Sequence, residues 1–318
     1  MTEIASSPHT NNRRRFIKGA GVTVAGAAAG AIAMPNVSRA QTAVLKMQGA
    51  WGAKDIFNDM ANEYVTRVNK MAGNRLKIEY LIAGAVVKPF SLQDAVNDGV
   101  LDAGHHVCAY WYGKHKGASF FGTSPCWGWT AAQGMAWIHK GGGKDLYREL
   151  IQDVLKLDLV GFFAMPMPTQ PLGWFKKPVT SAADIKGLKY RTVGLAADLK
   201  GLKYRTVGLA ADLMQAMGLA VAQLPGGEIV PAMERGVIDG FEFNNPTSDR
   251  RFGAQDVAKT YMLGSHHQAT EYFEIMFNKT KFNALPAEHK AILHTQRRPR
   301  HRPTNGKAWT TTPRTCRN

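Results

Sequence analysis

Arg191 and Arg205 each end a short apolar run, GLKYR, and each is followed by a segment of helical character. A guanidinium at a strand end, beside the N-terminus of the next helix, can grip a carboxylate. The planar fork gives two parallel hydrogen bonds, and the helix adds free N–H groups and a favourable dipole. The same residue type equally suits a surface ion pair, so this motif alone leaves both readings open. Other reactive side chains are sparse. His105-His106 and His266-His267 are adjacent pairs, and neighbours on a strand point to opposite faces, so neither pair chelates one metal as a pair. Structural histidines are the simpler reading. Cys108, Cys126 and Cys316 have no CxxC spacing; Cys108 and Cys126 can pair in an oxidising compartment or remain two small buried thiols. The chain contains no GxSxG, HExxH, strand-borne GxGxxG or Walker loop. GGGKDL at 141–146 lacks the hydroxyl residue after its lysine and reads as a turn before a helix.

The elements that must position these residues alternate between strand and helix, which predicts an α/β fold. AVLKMQGAW reads as a strand. DIFNDMANEYVTRVNKMAG reads as an amphipathic helix, with Ile56, Met60, Tyr64, Val65 and Val68 on one face and Gly73 as its stop. RLKIEYLIAG is the next strand. A short echo adds a level of organisation: AVNDGVLDAGHH (95–106) aligns without gaps on AMERGVIDGFEF (232–243). Each reads as a helix end, a glycine stop and a short apolar strand. Two such units suggest two lobes of similar build, and a cleft between lobes is a favoured place for a small ligand.

The formal charge of +16 over 318 residues raises nucleic acid as a partner. Its distribution argues against that: +4 lies in residues 1–40, +7 in 294–318, and only +5 in 41–293. Residues 1–40 read as an export signal. Arg13-Arg14-x-Phe16-Ile17-Lys18 fits the twin-arginine pattern, 19–34 is an uncharged Gly/Ala-rich run, and Ser38-Arg39-Ala40 is a small-x-small cleavage site. The run is shorter than the roughly 20 residues of a membrane span. The mature chain is expected to begin near Gln41, outside the cytoplasm. Residues 294–318 lose all periodicity and read as a basic tail outside the fold rather than an arm for nucleic acid.

Four stretches, LIAGAVVKPFSLQDAVNDGVLDAGHH, AYWYGKHKGASFFG, GWFKKPVTSAADIKGLKYR and LPGGEIVPAMERGVIDGFEFNNPTSD, resemble the DctP-like solute-binding proteins of TRAP transporters, closest to the branch that takes 2-oxo acids and related monocarboxylates. The resemblance implies a two-lobed periplasmic binding protein, type II-like, with its ligand cleft between lobe I (41–163) and lobe II (164–244), 245–293 being shared between them. It implies a small organic-acid ligand held by Arg191 or Arg205, and a bound Na⁺ or Ca²⁺ held by Gln170, Glu242 and the carbonyl of Phe243. Gln170 and Phe243 also belong to the ligand pocket, and Tyr110, Trp111 and Tyr112 would line the other side of the cleft. Membrane subunits of a TRAP transporter would be the partners, a homodimer is allowed, and no catalytic cofactor is implied. The family often has tryptophan where Phe243 stands, and a long helical C-terminus where the basic tail stands. The alternative class is an exported enzyme acting on a small carboxylate.

The tandem copy is a separate matter. Residues 186–199 and 200–213 are identical, and a single perfect pair is no solenoid. An insertion of 14 residues keeps strand alternation and approximate helical phase. Only one arginine can face the cleft. The helix after the second copy carries Leu209, Leu213 and Met217, worth roughly 1.5–3 kcal/mol each when buried. The expectation is that this helix sets the register, that Arg205 is the ligand arginine, and that the first copy bulges or extends outward.

Overall fold

The computed structural model describes residues 42–124, 129–178, 180, 190–192, 205–206, 209–216, 220–264 and 268–294. The expected export signal, Cys126, the His266-His267 pair, Cys316 and the basic tail beyond 294 lie outside the described residues. Cys108 is a free, buried thiol.

The chain opens with β1 (Ala43–Gly49), α1 (Ile56–Ala72) and β2 (Leu76–Leu81), and the two strands pair in parallel. The ends of α1 are set locally. The Asp55 side chain accepts a hydrogen bond from the Phe57 amide, and Gly73, at φ 59°, donates its N–H to Asn69 O. The buried face of α1 is Phe57, Ala61, Tyr64, Val65, Val68 and Ala72; Ile56 and Met60 are only partly buried. The inward stripe is therefore rotated slightly from the face expected. It is anchored by Tyr64, whose hydroxyl donates to Leu293 O at 3.0 Å on the helix Ala287–Leu293.

Burial pushes the Asp55 carboxyl up to about 7, against the opposing pull of the Phe57 amide and the Arg251 charge. The unfolded chain ionises near 3.8, so the native state resists losing this proton. Asp55 therefore contributes full stability below about pH 4 and loses it as the pH rises toward 7. Asp55→Asn keeps the helix-capping acceptor and removes the charge. It is expected to leave stability unchanged at pH 4 and to raise it at pH 8 by about 2–4 kcal/mol, measured by denaturant melts at both values. Equal stability of the two proteins at pH 8 would contradict this account.

β3 (Ala103–Val107) pairs in parallel with β1. β4 (Thr123–Ser124) and β5 (Leu159–Met167) complete the first sheet together with a long returning strand, β11 (Thr270–Asn278). The order is β2-β1-β3-β11-β4, with β5 also on β11, and every pairing of β11 is antiparallel. The second sheet has the order β10-β6-β9-β7-β8. Its strands are β6 (Gly173–Phe175), β7 (Tyr190–Thr192), β8 (Arg205–Thr206), β9 (Gly240–Phe241) and β10 (Thr260–Met262).

The sequence echo is structural. The helices Leu92–Asn97 and Ile229–Glu234 end before Gly99 and Gly236, both at positive φ (74° and 66°). Leu101 N–H then donates to Ala95 O, as Ile238 N–H does to Ala232 O. The chain next enters β3, parallel to β1, or β9, parallel to β7. Each sheet thus holds the same helix–turn–strand unit, flanked by a parallel strand on one side and an antiparallel one on the other.

The doubled phrase is accommodated differently from the sequence expectation. β7, from the first copy, takes the inner position beside β9, with Arg191 opposite Phe241. β8, from the second copy, adds at the edge, in register with the first: Arg191 opposite Arg205 and Thr192 opposite Thr206. The first copy does not bulge out of the sheet. Two identical strand-formers can pair with each other, which satisfies backbone groups that an ejected copy would leave to water. The helix Leu209–Ala216 follows β8 and lies against both strands, with Met214 buried.

Candidate functional site

β9 leads directly into Glu242, Phe243 and Asn244, all buried. This segment is held by its own surroundings. Asp249, fully buried on the helix Pro246–Arg251, accepts from Asn244 N–H at 3.1 Å and from the Trp174 indole at 2.9 Å. The Asn244 amide donates to Glu271 Oε2 at 2.7 Å. Asn245 caps the helix by accepting from Ser248 N–H, and Pro246 sits at its first turn. NNPTSD therefore encodes a capped helix that delivers Asp249 to the segment. The Asn-Pro start was readable as a helix signal; the partnership with Trp174 was not.

Gln170 enters from the other side, between β5 and β6. Its backbone N–H donates to Gln268 O at 3.1 Å, and its side-chain amide donates to the Phe243 carbonyl. Gln170 is 1% exposed, and its Oε1 has no hydrogen-bond partner among the described residues. Two of the three positions expected to hold a cation thus meet, the Gln170 amide touching the Phe243 carbonyl, and the third, buried Glu242, directly precedes Phe243 in the chain. The donor set is an amide oxygen, a carboxylate and a backbone carbonyl, all hard oxygens, which suits Na⁺ or Ca²⁺. The fit requires the Gln170 amide to turn over, bringing Oε1 rather than Nε2 toward the carbonyl.

The approach of the strands depends on two glycines. Gly173 has φ 113°, and a Cβ there would lie 2.2 Å from Phe241 O. A Cβ on Gly226, in LPGGE, would lie 2.5 Å from the Phe243 ring. That ring rests on Phe252 (centroids 4.8 Å), Phe57 (5.7 Å) and Trp51 (6.4 Å). Trp51 and Phe57 come from the β1–α1 corner, so Phe243 joins the two halves of the fold in one aromatic cluster.

The three aromatic residues expected on the opposite wall separate. Cys108–Trp111 form a single 3₁₀ turn, and three residues per turn spread consecutive side chains around the axis. Tyr110 packs on Trp51 and Phe90, on the side of Phe243. Trp111 is buried on His106, on the far face of β3. Tyr112 reaches the helix Leu209–Ala216, where its hydroxyl donates to Asp212, and Lys116 forms an ion pair with the same carboxylate. Burial and the Asp212 carboxylate push the Tyr112 hydroxyl up to about 12. Ser119 adds a third tie, accepting from Leu209 N–H at 3.1 Å. The helix after the second copy is thus fastened to residues 112–119, a contact the sequence did not signal.

His105 and His106 point to opposite faces of β3, as strand geometry requires. His105 accepts from the Trp51 indole at 3.1 Å, and burial, reinforced by neighbouring His106, pushes its imidazole down to about 3, so it stays neutral. Arg191 and Arg205 are placed by their backbones alone, at paired positions on β7 and β8.

Comparisons with known proteins identify the fold and the family. The sequence pattern of bacterial extracellular solute-binding protein family 7 (DctP) matches residues 47–197 and 194–317. It breaks inside the doubled phrase and runs on through the basic tail. The monocarboxylate 2-oxoacid-binding periplasmic protein of Nostoc sp. is 30% identical over 288 residues, covering 89% of this chain and 74% of that protein. A TRAP transporter solute-binding protein from Bordetella bronchiseptica, solved with copurified calcium and picolinate, superposes with a TM-score of 0.71 at 27% identity, covering 80% of this chain and 71% of the other. One from Pseudoalteromonas atlantica, with bound sodium and pyruvate, gives 0.70 at 28%, covering 80% and 72%. The shared fold is the two-lobed periplasmic binding architecture, and the family is one of solute receptors, which removes the alternative of an exported enzyme. With most of its length matched, this chain belongs to bacterial extracellular solute-binding protein family 7, the DctP family.

Proposed function

We propose that the protein is the extracytoplasmic receptor of a TRAP-type transporter, binding a small 2-oxo acid or related monocarboxylate and delivering it to the membrane subunits. One observation carries this reading: the contact of Gln170 with the Phe243 carbonyl, next to buried Glu242. A cation held there would face the strand that carries Arg191, one strand away in the same sheet. Cation and guanidinium together would take both oxygens of a ligand carboxylate. Lobe I would be the part built on the first sheet and lobe II the part built on the second, closing on the ligand around Phe243. Arg13-Arg14 would send the precursor through the twin-arginine route.

The experiment uses protein recovered from the periplasmic fraction. A mature N-terminus near Gln41 is expected, and retention of residues 1–40 would contradict the export reading. The same material is melted with a panel of monocarboxylates, with Na⁺ or Ca²⁺ present and after chelation. A ligand that binds only the native state raises the melting temperature, by about 2.7 kcal/mol of added stability at a hundredfold excess over Kd. Pyruvate or a larger 2-oxo acid is expected to stabilise the protein in cation-containing buffer. Stabilisation by sugars or amines alone would overturn the ligand class.

A further inference from the structure

We propose that His106, Cys108 and Glu274 form a second metal site, for a divalent cation of the zinc class, buried in the first sheet and closed over by Tyr147. β3 and β11 are antiparallel, and His106 lies directly opposite Glu274. Cys108 follows two residues later on the same face. The one donor atom of each residue lies within 4.8 Å of the others, and all three residues are buried. His106 Nε2 is 2.9 Å from Glu274 Oε2, and Cys108 Sγ is 3.7 Å from the same oxygen. Tyr147, from the helix Gly143–Arg148, brings its hydroxyl to 2.6 Å from Glu274 Oε2 and 3.2 Å from Cys108 Sγ. A tetrahedral zinc site with ligand bonds of about 2.0–2.3 Å has edges of roughly 3.3–3.8 Å. The two pairs that involve Cys108 Sγ, at 3.7 and 3.2 Å, already stand near that spacing, and the two shorter contacts to Glu274 Oε2 would open as the ion enters.

The imidazole decides between a metal site and a proton-filled polar cluster. Although Nε2 approaches Glu274 closely, the approach lacks hydrogen-bond geometry, and neither ring nitrogen has a hydrogen-bond partner among the described residues. A buried imidazole with both nitrogens unused is costly. A cation between Nε2, Sγ and Oε2 would use the nitrogen that now meets the carboxylate out of line. The donors are thiolate, imidazole and carboxylate, softer than the oxygens at Gln170, Glu242 and Phe243, and they select a different class of ion. Binding exchanges the thiol proton of Cys108 for the cation; the proton leaves to solvent and nothing is oxidised or reduced. The bound ion would fasten β3, β11 and the helix carrying Tyr147 together, at a corner of the sheet where the turn holding Tyr110 begins.

Because the site has no exposed surface, metal should enter during folding. The test is to unfold the mature chain and refold it with Co²⁺, which reports thiolate ligation by a near-ultraviolet charge-transfer band and tetrahedral geometry by its visible bands. One Co²⁺ per chain with both features is expected. They should survive in the C126S/C316S chain, where Cys108 is the sole thiol, and disappear in Cys108→Ser. Glu274→Gln should weaken cobalt binding at least tenfold. Absence of the thiolate band in the refolded protein, its persistence in Cys108→Ser, or its loss in C126S/C316S would each overturn the proposal. If Cys108→Ser does not fold, the C126S/C316S chain refolded with and without Zn²⁺ decides. A higher melting temperature with zinc supports the site, and equal temperatures refute it.

Discussion

Arg191→Lys is expected to lower the affinity for a 2-oxo acid at least tenfold, on the order of 1.4 kcal/mol, while Arg205→Lys leaves it within about twofold. The difference follows from the order of strands. β7, with Arg191, lies between β9 and β8, whereas β8, with Arg205, is at the edge. The expected cation donors Glu242 and Phe243 follow β9 directly, so the inner arginine is one strand from them and the outer arginine two. Lysine keeps the charge and loses the fork that matches a carboxylate. Calorimetric titration of both variants, with cation present, measures the effect. A silent Arg191→Lys beside a damaging Arg205→Lys would mean that the second copy holds the ligand, as the weight of its helix suggested from sequence. The copies are identical, so deleting 186–199 or 200–213 produces the same chain. That single-copy chain is expected to bind as tightly as the full one, because the helix Leu209–Ala216 would then follow the inner strand.

Glu242→Gln is expected to weaken ligand binding about a hundredfold, near 2.7 kcal/mol, and to abolish its dependence on Na⁺ or Ca²⁺. Glu242 supplies the only side-chain charge of the three donors, and the other two are neutral oxygens. Losing that charge should release the cation, and with it the positive partner of the ligand carboxylate. Neutral glutamine keeps the volume, so Phe243 and its aromatic neighbours should stay in place. The check is calorimetry in cation-free buffer and again at saturating Na⁺ or Ca²⁺. Equal affinity for the original protein in both buffers would take the metal out of the mechanism. A cation requirement that survives in Glu242→Gln would move the metal elsewhere.

Much of this protein is legible in its amino-acid sequence because the signals are local. The strand–helix–strand opening, the stop at Gly73 and the paired units at 95–106 and 232–243 each depend on residues within about one element of one another. Their periodicity and turn chemistry determine them before any packing occurs. Gln170, Glu242 and Phe243 were singled out through family likeness alone, whereas the opposed faces of His105 and His106 followed from the period of a strand.

What the tertiary structure decided depends on contacts distant along the chain. A doubled strand-former has the same local preference in both copies, so only competition for the place beside β9 could assign inner and outer positions. A 3₁₀ turn, rather than a strand or an α-helix, sent Tyr110, Trp111 and Tyr112 to three different neighbours. Asp249 reached Trp174 across 75 residues, and Glu274 reached Cys108 across 166. Sequence periodicity carries no term for such pairs, because their energy exists only once both sheets have closed.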